Sequence, residues 1–174
     1  MVAARLRMLI RSNIPVIRFF MLFILFLLAG HILLQISYRK ASPFLVDSLH
    51  VGVSAHIVNI ISSGEKVVAQ NGKIVSQNSS MKIAKGCEGI EGILLIAAAV
   101  CAFPAGMRKK AFGLLAGVIL IYTLNLTRIV GLWFTLKYKP ALFDIMHIYV
   151  GQTYIIFISV LFFMWWAVRG KHSH

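Results

Sequence analysis

Uncharged apolar runs alternate along this chain with short basic links. The first run, Phe19 to about Ile36, follows a start, Met1 to Arg18, that carries Arg5, Arg7, Arg11 and Arg18 and no acid. Its length suits a spanning helix of about 20 residues. Ala29-Gly30-His31 is a poor cleavage site and the run continues past it, so an uncleaved span is expected rather than a signal peptide. Three more apolar segments follow: about Ile90 to Phe103, ending at Pro104; Ala111 to Leu136; and about Ile148 to Val168. The first of these is short for a full span, with room to extend back through Gly86. Four spans are expected, with both termini on one side.

Two stretches break this rhythm. Pro43 to Ser63 is apolar but interrupted by Asp47, His50, Ser54, His56 and Asn59. An amphipathic helix at the interface or packed into the bundle fits it better than a lipid-facing span. His50 and His56 read as interfacial histidines rather than as a proton or metal site. Glu65 to Lys85 is polar, and Val67–Gln70 and Lys73–Ser76 flank Asn71-Gly72, the preferred pair for a type I′ turn. A two-stranded hairpin on the membrane surface is expected.

Composition sharpens the class. Hydrophobic residues make up 59% of the 174 positions and charged residues 13%, against about 45–50% and about 25% in soluble domains. A disordered chain is excluded, and one membrane-embedded domain is the natural reading. The net charge of +13 would suggest nucleic acid in a soluble protein. Here the basic residues flank apolar runs, as membrane anchors do, and no nucleic-acid partner is expected. With the N-terminus, the Arg108–Lys110 link and Arg169/Lys171 inside, that side holds nine basic residues against eight on the other. The near balance leaves the acid-free N-terminus to decide the orientation.

Two cysteines, Cys87 and Cys101, make no disulfide framework. On one helix they would lie about 21 Å apart, beyond the roughly 7 Å limit between bridged Cα atoms. Three polar features stand out instead: Lys85 to Gly92 at the entry to a span, Asn125 to Arg128 inside a span, and Asp144 to His147 where the last span begins. An arginine within a span costs at least about 2.5–3.5 kcal/mol unless it faces protein or a wet cavity. Arg128 therefore either snorkels toward Lys137 or meets a partner, and the second is favoured, with Asn125 on the same helical face.

Cys87 follows a glycine and is expected to open a helix, where the dipole favours thiolate. Glu88 and Glu91 oppose that, and a cation such as Arg128 or a protonated His147 would offset them. Asp144, three residues before His147, is expected to fix the imidazole tautomer. A thiol, an imidazole and a guanidinium form a usable acyl-transfer set: nucleophile, proton carrier and oxyanion holder. Cys101, in an apolar run, reads as a small hydrophobe, and a structural reading of Cys87 stays open at this point as well. A metal site from Cys87, Glu88, Glu91 and His147 is disfavoured, because no close ligand pair has a recognised zinc spacing. Neither a metal nor another cofactor is expected. Gly113 and Gly117 read as a small-xxx-small packing pair.

The stretches Gly86-Cys87-Glu88-Gly89-Ile90-Glu91, Asn125-Leu126-Thr127-Arg128, and Phe143-Asp144 through His147-Ile148-Tyr149-Val150-Gly151-Gln152 resemble the exosortase/archaeosortase family. The resemblance covers about residues 86–167. It implies a catalytic cysteine, arginine and histidine at Cys87, Arg128 and His147, with Asn125, Asp144, Glu88 and Glu91 as supporting residues. It also implies a transpeptidase of the cytoplasmic membrane. Its partners would be exported proteins whose C-terminal tail carries a short motif, a spanning helix and a basic cluster, together with membrane lipid. Two departures stand against the pattern: Glu88 replaces the small polar residue that often follows the cysteine, and few spans precede it.

The expected fold is all-α, a polytopic transmembrane helical bundle with a small extracytoplasmic β-hairpin. Residues 1–18 form a basic cytoplasmic start, 19–168 a single membrane domain, and 169–174 a cytoplasmic tail. Within the domain, 43–63 is an interfacial or packed helix and 64–86 the hairpin. The expected function is a membrane cysteine peptidase/transpeptidase acting at the outer face of the cytoplasmic (inner) membrane. The competing reading is a non-catalytic assembly or scaffold protein whose polar cluster fixes helix packing.

Overall fold

The computed structural model describes residues 2–42, 49–62, 64, 66–83 and 87–169, with side chains of the first helix placed from residue 13 to residue 37. Expectations that rest on residues 43–48 (Asp47 among them), on Lys85 and Gly86, on the tail beyond Arg169, and on the side chains of Arg5, Arg7 and Arg11 lie outside the described residues.

The order is α1 (Val2–Ser42), α2 (Val53–Ile61), β1 (Val68–Gln70), β2 (Lys73–Val75), β3 (Ser80–Lys82), α3 (Ile90–Ala102), α4 (Met107–Tyr138) and α5 (Gly151–Val168). A 3-10 turn, Pro140–Leu142, and a π-helical stretch, Ile145–Val150, lead into α5. Three stretches are long and apolar enough to cross a membrane: Asn13–Ser37, Met107–Tyr138 and Ile145–Val168. The chain is thus a multi-pass membrane protein. Of the four segments expected to span, three reach that length, and the fourth, α3, is the short one. α3 has 13 residues, about 20 Å of helix, against roughly 30 Å of hydrocarbon. Apolar on every side, α3 is instead enclosed by α1, α4 and α5.

The bundle closes at the end where Pro104 interrupts the chain between α3 and α4. There Phe19, Phe103, Phe163 and Trp166 share edge and stacked contacts. Lys110 Nζ donates to the carbonyl of Cys101 at 2.6 Å, and Lys109 Nζ to that of Ala167 at 3.0 Å. Each lysine satisfies a carbonyl that a helix C-terminus leaves unpaired. Between helices the fit depends on glycine. A Cβ at Gly113 would lie 2.5 Å from Trp166 Nε1, and one at Gly117 2.5 Å from Ile96 Cγ2. Gly117→Leu is therefore expected to lower thermal stability in detergent by roughly 1–3 kcal/mol, the usual cost of overpacking. Gly131→Ala is the control, since nothing lies within 4 Å of a Cβ there. Equal unfolding midpoints for the two variants would refute the close helix contact.

At the opposite end, α2 and the sheet pack on α4. The helix expected over 43–63 is observed only as α2, after a π-turn at 49–52. Its described residues are packed into the bundle, as one of the two expectations had it. Asn59 explains one of the polar interruptions. Its side chain donates to the Val67 carbonyl at 2.8 Å and accepts from the Val67 N–H at 2.7 Å, clipping α2 to the sheet. Asn71 and Gly72 both take positive φ (48° and 72°), as a type I′ turn requires. The expected hairpin is part of a three-stranded antiparallel meander in the order β1-β2-β3. Ile74 pairs with Met81 across β2 and β3. Both are buried with Val51, Val58 and Trp133 in a core that Cys87 also touches. A second core joins α3, α4 and α5 around Ile96, Ile121 and Trp166.

Candidate active site

Cys87 lies just before α3, on chain leaving the sheet. The helix begins at Ile90, so the expectation that Cys87 opens it is corrected: two residues separate the thiol from the first helical position. The reason is Gly89, which caps α3 in the left-handed conformation at φ 73°. Glycine alone takes that conformation without strain. It also lets the backbone lie on α4, because a Cβ at Gly89 would meet Asn125 Cβ and Cγ at 3.0 Å. Asn125 is fully buried, and its Nδ2 donates to the Cys87 carbonyl at 2.9 Å.

Arg128 stands one turn further along α4 and is only 9% exposed. It does not snorkel. Its Nη2 donates to the backbone carbonyl of His147 at 3.0 Å. Gly151 makes the room: a Cβ there would sit 2.5 Å from Arg128 Nε. The guanidinium thus passes over a glycine into the start of the last span and holds a main-chain carbonyl there.

His147 completes the cluster. Its Nε2 is 3.6 Å from Cys87 Sγ, within thiol hydrogen-bond range, across 60 residues of sequence. The ring stacks on Phe143, centroids 5.7 Å apart and planes 11° from parallel. The π-helical stretch carries it, marked by the Gly151 N–H bonding back to the Met146 carbonyl, five residues earlier. The extra residue in that turn sets which side of the element His147 faces.

The structure therefore gathers Cys87, Arg128, His147 and Asn125. Glu88 is buried next to the thiol in sequence, and Glu91 is exposed at the start of α3. The expectation for Asp144 is corrected. It is exposed, while His147 Nδ1 is buried with no hydrogen-bond partner. The ring is held by its stacking on Phe143 rather than by a hydrogen bond to the carboxylate. Among the described residues, no group of three or more His, Cys, Asp or Glu side chains stands where it could hold a metal ion. Neither Cys87 nor Cys101 is in a disulfide. Phe143, Gly89 and Gly151 were not singled out by residue chemistry. The first is one helical turn before His147 and the glycines adjoin the polar features, and all three fall within the stretches that carry the family resemblance.

Chemically, a thiol touching an imidazole with a buried guanidinium beside it is equipped for proton transfer followed by nucleophilic attack. The sequence model of the family described as Transmembrane exosortase (Exosortase_EpsH) matches residues 6–166. No curated protein and no solved structure matches the chain.

Proposed function

The chain belongs to the transmembrane exosortase family, which implies a membrane sorting protease of a generally cysteine-peptidase kind; on that premise we propose that it cleaves the C-terminal sorting signal of exported proteins through Cys87, His147 and Arg128. The observation that carries this reading is the 3.6 Å approach of Cys87 Sγ to His147 Nε2. His147 takes the thiol proton as Sγ attacks the scissile carbonyl carbon. Arg128, fixed through the His147 carbonyl, bears the charge that develops on the carbonyl oxygen. The C–N bond breaks, the imidazole returns its proton to the leaving amine, and a thioester is left on Cys87. Water or an amine then attacks the thioester and frees the thiol. Asn125 acts as a positioning residue through the Cys87 carbonyl.

The reaction is placed at the outer face of the cytoplasmic membrane, supported by the acid-free basic N-terminus. A membrane-impermeant maleimide applied to intact cells carrying the Cys101→Ser protein should label Cys87, and His147→Ala should slow that labelling at least about tenfold, since thiolate is the reactive form. Labelling only after permeabilisation reverses the orientation. A rate indifferent to His147→Ala removes the imidazole from the pair.

A further inference from the structure

A cleft of about 140 Å³ opens beside the cluster, between the start of α3 and the start of α5. We propose that it is a subsite for one apolar side chain of the substrate, of leucine to phenylalanine size, next to the bond that is cleaved. This rests on the function proposed above and adds a substrate class to it.

The first argument is continuity. Arg128, which holds the His147 carbonyl, forms part of the cleft wall, and so does Gly89, two residues from the nucleophile. Cys87 itself is outside the wall, two residues before Gly89, so a side chain seated there is carried by a residue adjoining the one that the thiol attacks. The second argument is size. An apolar cavity of about 150 Å³ takes a benzene-sized guest, so a leucine or phenyl side chain fits and an indole does not. The third is chemistry. Leu95, Ile155 and Ile156 make the walls apolar, whereas Glu91 and Gln152 supply polar atoms. Both polar residues are exposed. A lipid chain has no use for them. An extended peptide does, because at membrane depth its N–H and C=O groups need partners. Glu91 accepts from the peptide's N–H groups, and Gln152 donates to its carbonyls.

The test uses the full-length Cys101→Ser protein in membranes and dipeptidyl chloromethyl ketones ending in alanine, leucine or tryptophan. Each alkylates the thiol by displacement of chloride and places one side chain beside the reacting carbon. The second-order rate of Cys87 modification is read by mass spectrometry, with iodoacetamide as the reagent that has no side chain. The leucine reagent should react at least about tenfold faster than the alanine one, the usual worth of a filled apolar pocket. Ile156→Trp, at a position 50% exposed, should erase that preference by filling the cleft. Leu95→Ala should raise the tryptophan reagent relative to leucine by enlarging it. Glu91→Gln with Gln152→Ala should slow the ketones relative to iodoacetamide. Iodoacetamide reacting at Cys87 with no ranking among the ketones overturns the subsite alone. A ranking that survives Ile156→Trp and Leu95→Ala unchanged overturns it as well, as does a double variant without effect, which would indicate a lipid chain. Cys87 inert to every reagent overturns the nucleophile and the subsite with it.

Discussion

Replacing Cys87 by alanine is expected to abolish cleavage of the exported substrate, a fall of at least about a thousandfold, while the protein's level in the membrane stays near that of the parent. The thiol is small and only partly buried against the α2–sheet core, so alanine removes little packing. No other group can form the thioester: Cys101 lies eleven positions beyond the first residue of α3, about 16 Å further along the helix. His147→Ala should be nearly as severe, and the double variant no worse than the worse single one, because groups that act as one unit fail together. The measurement is the ratio of full-length to trimmed substrate in membranes from each strain. A scaffold role predicts the opposite ordering, with trimming retained in Cys87→Ala. Retained trimming would sink the cysteine mechanism.

Deleting Tyr149 is expected to cost more than about a hundredfold in cleavage without lowering thermal stability. Tyr149 is 68% exposed and sits inside the π-helical stretch. Removing one residue there restores ordinary i→i−4 pairing, which is the better-bonded helix. α5 is anchored by Ile155 and Trp166 in the bundle core. The correction is therefore taken up by the segment before the deletion, which turns by about 100° and carries His147 away from Cys87. A misplacement of even about 1 Å can cost a hundredfold in rate. Thermal unfolding in detergent and the substrate ratio are read on the same preparation. A stable deletion variant that still cleaves would show that the π-turn has no bearing on the site. Stability falling in step with activity would assign the turn to folding instead.

Much of the architecture was legible in the order of residues because it is set locally. Apolar runs bounded by basic links gave the helices, and only their ends moved: 111–136 is observed as Met107–Tyr138, and the segment from Phe19 lies within a helix running from Val2 to Ser42. Asn71-Gly72 specified its turn because both positions need positive φ. Arg128 announced itself through the cost of a charge in a span. β3 was missed: three residues, Ser80–Lys82, have no periodicity of their own and become a strand only by pairing with β2. That α3 is enclosed by other helices was not legible, because an apolar run reads alike whether it meets lipid or the inside of a bundle.

The site divides along the same line. Residue chemistry alone marked Cys87, Asn125, Arg128 and His147, since a thiol, an imidazole and an intramembrane cation are rare and costly wherever they stand. What they touch was decided by tertiary structure. Arg128 holds a main-chain carbonyl, a partner every residue offers and no side-chain pattern reveals. His147 faces Cys87 because one extra residue widens its turn, and its ring leans on Phe143 rather than on the nearer-seeming Asp144. Gly89 and Gly151 matter for space that exists only once α4 lies beside them. Sequence fixes which groups are present and their local geometry. Contacts across 60 residues depend on how helices cross, and that follows from the summed packing of the bundle.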